Sequence, residues 1–457
     1  MTAVRAHSSE TLSNSAIAAA YLSHQRESKI APASLNAAKM ALTDWVAVSL
    51  GARGTPEALI LKRYLADTPQ APGKSPLLIG GQAAATTAAL INGTLSHCLD
   101  YDDTHIPTAL HGSGPTWAAV FALGVEKGAS EEDLLKAFVC GFEIGASIGG
   151  DGIGVRLNES GWHSTAVLGR ISAATAASYL LRLEPDVIES ALGLAATQAG
   201  GLTASFGTMA KPFHAGKAAM DGIVAAQFAS AGLQASKTLL DSPKGLFGTI
   251  FQDRSVVPSL AMLNTTSQLL LNSLKPYSAC QLTHAPIDAA RQLREQIGAA
   301  PIESIKLWVN PLAIEIAGIR DARTATQGRF STGYCVALAM HGYPVSPSDF
   351  VPERLADAKL IDLAARVTME GTTEIPRTAV RLEARLADGR TVKTDVEHAF
   401  GSAGNPMDWA QLELKFQSLV EPAYGNQTAG LYELLANFER PGALNKLVAL
   451  ANKLAPI

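Results

Sequence analysis

The sequence predicts a mainly α protein, a large all-helical domain followed by a smaller α+β domain. Three observations carry that expectation. Apolar residues recur at 3- and 4-residue steps through the first 270 or so positions, period-2 alternation begins only beyond residue 300, and helix-start signals return after residue 405. The helical domain is expected over 1–271 and the smaller domain over 272–404. C-terminal helices that pack back on the first domain are expected over 405–457.

In chain order, Leu35, Ala38, Leu42, Trp45 and Val46 form the stripe of an amphipathic helix. Alanine-rich runs at 83–90 and 171–181 let helices approach closely. Ser130 with Asp133 marks an N-cap before a helix through 134–144, because the hydroxyl can accept an otherwise orphaned N–H. Pro185 starts a further helix through 197, since its missing N–H costs nothing in a first turn. Beyond Lys275 the period changes, and Ile302–Val309 alternates as a strand does. Val380, Leu382, Ala384 and Leu386, then Asp388-Gly389, then Val392, Thr394 and Val396 spell a β-hairpin about an Asp-Gly turn. Asn405-Pro406-Met407 ends that region, and Asp408 with Gln411 caps a new helix.

The 457 residues are 47% hydrophobic and 17% charged, with a net charge of −4, so no global field draws the chain to nucleic acid or to an anionic membrane. Any positive charge that matters is local, which points to small anions. Cys98, Cys140, Cys280 and Cys335 show no C-x-x-C spacing, so buried reduced thiols in the cytoplasm are expected rather than zinc or disulfides. Residues 1–15 are polar with no apolar run, and no secretory signal is expected. Two uncharged stretches, 104–125 and 191–210, are interrupted by His, Pro, Gly and Gln, which makes them buried core rather than membrane spans.

The densest chemistry lies between His97 and His111, where three imidazoles (His97, His105, His111) meet three carboxylates (Asp100, Asp102, Asp103) within 15 positions. Carboxylates can orient imidazoles for proton transfer; the same residues could equally cap helices and line a solvated loop. No H-x-x-x-H or H-E-x-x-H spacing occurs there on a helix, so no metal is expected. Gly161-Trp162-His163 and Lys211-Pro212-Phe213-His214 follow. Lys211, before a proline and a helix start, can offer a point charge to a carboxylate, whereas Lys217 reads as a solvated helix lysine. Lys275-Pro276-Tyr277 and Phe330-Ser331 with Tyr334 come later, open to a linker or core reading. No P-loop, dinucleotide fingerprint or nucleophile elbow occurs.

Taken in order, 99–104 with His111, Gly161-Trp162-His163, 207–214, Lys275-Pro276-Tyr277, Phe330-Ser331 with Tyr334, and Asn405-Pro406-Met407 resemble the landmarks of the MmgE/PrpD family, which includes 2-methylcitrate dehydratase, cis-aconitate decarboxylase and iminodisuccinate epimerase. The resemblance implies an α+β lid over the helical domain, a homodimer, no metal or organic cofactor, and a polycarboxylate site between the domains. It places His111 and His163 there as the acid/base pair, Asp100 as the carboxylate that orients an imidazole, Lys211 and Lys275 as carboxylate holders, and Thr104 and Tyr334 as hydrogen-bonding groups, Tyr334 toward a leaving group. The expected reaction is dehydration of a 2-methylcitrate-like acid. Decarboxylation and epimerisation are its rivals, and a non-catalytic small-acid binder is the alternative from another class. Cys280-Gln281 departs from the family's Cys-Arg, His111-Gly112 from its His-Pro, and Gly333 from its proline, which suggests a smaller or less charged acid.

Overall fold

The computed structural model describes residues 12–454 apart from Met262 and Asn264. Most of the polar N-terminal segment and the last three residues of the tail lie outside the described residues. The chain is mainly α, with small sheets. The expected stripe falls on the helix Pro32–Gly51. Ala38, Leu42, Trp45 and Val46 are buried on it, Leu35 is half-buried, and 41–50 are buried on every side. That helix therefore runs through a core rather than over its surface. Ser130 accepts the Asp133 N–H as expected, but it opens Glu131–Ile148, three residues earlier than the apolar pattern alone. Pro185–Ala196 begins on its proline.

Close helix packing is built on glycine. A Cβ on Gly93 would lie 2.8 Å from the Gly216 Cα, and one on Gly216 would lie 2.1 Å from the Leu90 carbonyl oxygen. The helices Ala85–His97 and Ala210–Ser230 thus meet backbone to backbone. The end of the first, at His97, is brought beside the start of the second, at Lys211. On the second helix Lys217 is half-buried rather than solvated, because it pairs with Asp221, which also holds Arg170.

One core runs from Ala18 to Leu269 and resumes at Phe416, so the C-terminal helices Trp409–Tyr424, Thr428–Ala436 and Ala443–Asn452 pack into it through Phe416, Leu435 and Leu447. The expected Asp408–Gln411 pair forms a reciprocal capping box at Trp409. A second core spans Tyr277 to Ala399, and its four-stranded sheet runs Val367–Gly371, Ile302–Val309, Val380–Leu386, Thr391–Val396. The first pair is parallel and the others antiparallel. The hairpin forms where expected, but only Gly389 takes a left-handed φ, of 88°, while the Leu386 oxygen accepts its N–H. The turn is thus a longer one with glycine at the left-handed position, not the two-residue turn that Asp-Gly suggests. Among the described residues no single helix is long and apolar enough to cross a membrane. The stretch 104–125 instead supplies Trp117 and Phe121 to the first core.

A buried cation fastens the C-terminal helices to both neighbours. The Lys415 ammonium pairs with Asp44 and donates to the carbonyls of Tyr101 and Lys275. Burial pushes the Asp44 carboxyl up, and Lys415 pulls it back. Lys415→Met leaves that carboxylate uncompensated and is expected to cost about 3–5 kcal/mol in urea unfolding. Lys415→Met with Asp44→Asn should recover part of the loss. A single variant within about 1 kcal/mol of wild type would contradict the role.

Candidate active site

The Ala85–His97 helix ends in a sharp turn at Asp100, whose φ of +46° is unusual for a residue with a side chain. The turn is held by two lysines. Lys211 Nζ lies 2.7 Å and Lys275 Nζ 3.1 Å from Asp100 Oδ1, and Lys275 also donates to the Asp100 carbonyl at 2.9 Å. Burial alone would raise the Asp100 carboxyl, but Lys211 and Lys275, then His111 and His97, hold it well below the usual range. Lys211 stands within the first turn of Ala210–Ser230, its ammonium 5.4 and 5.1 Å from the ring centres of Phe206 and Phe330. Lys275, just after the two-residue strand Asn272–Ser273, is fully buried. That strand pairs with Thr104–His105, which sets Lys275 beside the Asp100 turn.

Three imidazoles gather beside this pair. His97 Nδ1 is 2.9 and 2.8 Å from the two oxygens of Asp102. His111 Nδ1 is 3.3 Å from Asp102 and 3.4 Å from the Thr104 hydroxyl. The carboxylate that touches the imidazoles is therefore Asp102, not Asp100. The left-handed turn sends Asp100 to the lysines and leaves Asp102 facing the rings. His163 stands just before the helix Ser164–Leu180, and its Nδ1 is 3.0 Å from that of the half-buried His214. The ring centres of His97 and His111 are 4.5 Å apart, and His163 lies 6.0 Å from His97 and 6.5 Å from His111. Burial drives His111 down to about 3 against the pull of Asp102, with His97, Lys211 and Lys275 adding to the fall. Burial, then Lys211 and His97, takes His163 well below its ordinary value. Both rings are therefore neutral at pH 7. Gly112 is needed where it stands, because a Cβ there would lie 2.3 Å from the Phe142 ring.

Asp100, Thr104, His111, His163, Lys211 and Lys275 all line one pocket, with an apolar wall of Leu282, Leu312 and Ile316. Its empty volume is ≈ 610 Å³ with its mouth included. Tyr334 does not line it. Ser331 caps the helix Thr332–Met340 and turns Tyr334 into the second core, where its hydroxyl donates to the Asp349 carbonyl at 2.9 Å. Phe330, just before that helix, is the residue of the motif that reaches the pocket. Sequence reasoning left Asn158 and Arg377 out; neither sits in a recognisable motif. It named His97 and Asp102 in the cluster but gave them no role.

Ligand atoms of His97, Asp100, Asp102 and His111 come within 4.8 Å of one another, close enough to consider a cation. The donors do not fit one. Asp100 already faces two ammonium groups that would repel a dication, and Asp102 is engaged with two imidazoles. Asp103 plays a structural part, bonding the Ser113 N–H and hydroxyl and Asn272. Burial raises its carboxyl to about 7 against those bonds.

Comparison with known proteins identifies the family. The MmgE/PrpD N-terminal domain matches residues 16–259 and the MmgE/PrpD C-terminal domain residues 277–437. Cis-aconitate decarboxylase of Aspergillus terreus is 28% identical over 407 residues, covering 82% of each chain. Cis-aconitate decarboxylase of Homo sapiens is 27% identical over 370 residues, 78% of this chain and 76% of that one. With both domain families matched in order along its length, the chain belongs to the MmgE/PrpD family.

Proposed function

We propose that this chain is a cofactor-independent lyase that decarboxylates a small unsaturated polycarboxylate of the cis-aconitate type. The observation that carries the reading is the meeting of two lysines and two neutral imidazoles in one buried pocket with an apolar far wall. Lys211 and Lys275 hold carboxylates. As the bond to the departing carboxylate breaks, its electron pair moves into the conjugated system, and the charge that develops there is met by the fixed ammonium groups. CO₂ leaves against Leu282 and Ile316. One proton is then added at carbon, so each turnover consumes a proton from solvent. His163 is assigned as its donor, because His214 links it toward the surface; His111, steadied by Asp102 and Thr104, positions the acid.

The relay is testable. His214→Phe is expected to lower kcat about tenfold with little change in KM, and added imidazole buffer should restore part of it. An unchanged kcat at every buffer concentration would contradict it.

Dehydration of a 2-methylcitrate-like hydroxy acid uses the same cations and imidazoles. Its intended leaving-group donor, Tyr334, stands in the second core, and the fungal and human relatives described above are cis-aconitate decarboxylases, so it takes second place. A panel of di- and tricarboxylates separates the reactions. Decarboxylation releases CO₂, dehydration raises alkene absorbance without CO₂, and epimerisation takes up solvent deuterium without net conversion. No turnover with tight binding would mark a silent acid-binding protein. CO₂ from cis-aconitate is the expected outcome, and its absence across the panel overturns the decarboxylase reading. Cytoplasmic location belongs to the proposal through the four unpaired, buried thiols, and a homodimer through the family resemblance; light scattering at twice the chain mass is the expected result for the latter.

A further inference from the structure

Lys211 and Lys275 meet any ligand already shared with Asp100. One more cation faces the pocket. Arg377 lies between the strands Val367–Gly371 and Val380–Leu386, half-buried, and is one of the residues that line the pocket. Among the described residues its guanidinium forms no hydrogen bond or ion pair. Glu159 acts on it electrostatically without pairing to it, and burial depresses its pKa more than Glu159 restores it. A guanidinium that has lost hydration without gaining a partner is a poor structural element, and its planar fork matches a carboxylate. Gln281, on the same pocket, carries no charge.

We infer that Arg377 is a specificity residue that grips the third carboxylate of a tricarboxylate ligand, completing a clamp begun by Lys211 and Lys275. The inference rests on the polycarboxylate reading of the pocket and names its substrate class. It also revises the expectation of a smaller acid. The arginine missing after Cys280 does not lower the number of cations at the site, because a different segment supplies one. Arg377 comes from the sheet-bearing core and Lys211 from the helical one, so a tricarboxylate held by both bridges the two cores.

The test is calorimetric and independent of turnover. Tricarballylate, a saturated tricarboxylate, is compared with glutarate and methylsuccinate, each of which lacks one of its carboxylates. The full-length protein is expected to prefer tricarballylate by about tenfold or more, the worth of a charge-assisted bond. Arg377→Gln should reduce that preference to within about threefold, and Arg377→Lys should keep part of it. A preference undiminished in Arg377→Gln, with thermal stability unchanged, overturns the assignment while leaving the polycarboxylate site standing. Failure of the wild-type chain to bind any of the three acids sinks the polycarboxylate reading itself, and this one with it.

Discussion

Lys211→Ala is expected to cut kcat/KM by roughly 30- to 5,000-fold, the equivalent of about 2–5 kcal/mol for truncating one partner of a buried, hydrogen-bonded charge pair. The ammonium is 2.7 Å from Asp100 and lies over the rings of Phe206 and Phe330, so it cannot be replaced by water or by a neighbour without rearrangement. Its loss also leaves Asp100 shared with Lys275 alone, and part of the effect is repulsion of the incoming carboxylate by a less compensated Asp100. Lys211→Ala with Asp100→Asn should therefore bind acids better than Lys211→Ala alone. Asparagine suits the φ of +46° at that position, so the backbone turn survives the change. Arginine is not expected to rescue Lys211, because a planar guanidinium does not fit the slot between two aromatic rings held for a compact ammonium. A Lys211→Ala enzyme with near-normal kcat/KM would refute the assignment.

His163→Ala is expected to lower kcat by about 10²–10⁴-fold, the usual contribution of a positioned general acid, while tricarballylate still binds. Its signature is proton uptake. His111 is depressed to about 3 and His163 falls well below its usual value, so neither ring is the imidazolium cation at pH 7. An entering polycarboxylate brings negative charge against both rings and raises them. If the complex pKa rises above the free one, binding takes up a proton, and affinity weakens as pH climbs through the raised value. Calorimetry in two buffers of different ionisation enthalpy should report net uptake for the wild type and less for His163→Ala. Equal enthalpies in both buffers for the wild type would contradict the linkage.

Much of the fold was legible because local rules fix local elements. Ser130, Pro185 and the Asp408–Gln411 pair each mark a helix start by satisfying or removing orphan N–H groups, and the 380–396 alternation marks a hairpin whatever its surroundings. The strand Val367–Gly371 was not legible. It is short, half-exposed and paired in parallel with Ile302–Val309, a partnership set by distant chain. Six of the seven expected site residues line one pocket because ordered landmarks carry long-range information that periodicity lacks. Tyr334 was misplaced because a motif does not tell which side of a helix faces the cleft; the Ser331 cap decides that, sending Phe330 to the pocket and Tyr334 to the core. Choosing between Asp100 and Asp102 as the partner of the imidazoles depended on one left-handed φ that no neighbouring residue announces. Arg377 belongs to no motif, and only the fold brings it to the site.

A crystal structure of the protein with tricarballylate bound tests the central claim most directly. The expected density places one acid in the pocket, its carboxylates within hydrogen-bonding reach of Lys211, Lys275 and Arg377 and its carbon chain facing His163. A ligand seated instead beside Tyr334 in the second core, or touching neither lysine, would contradict the account.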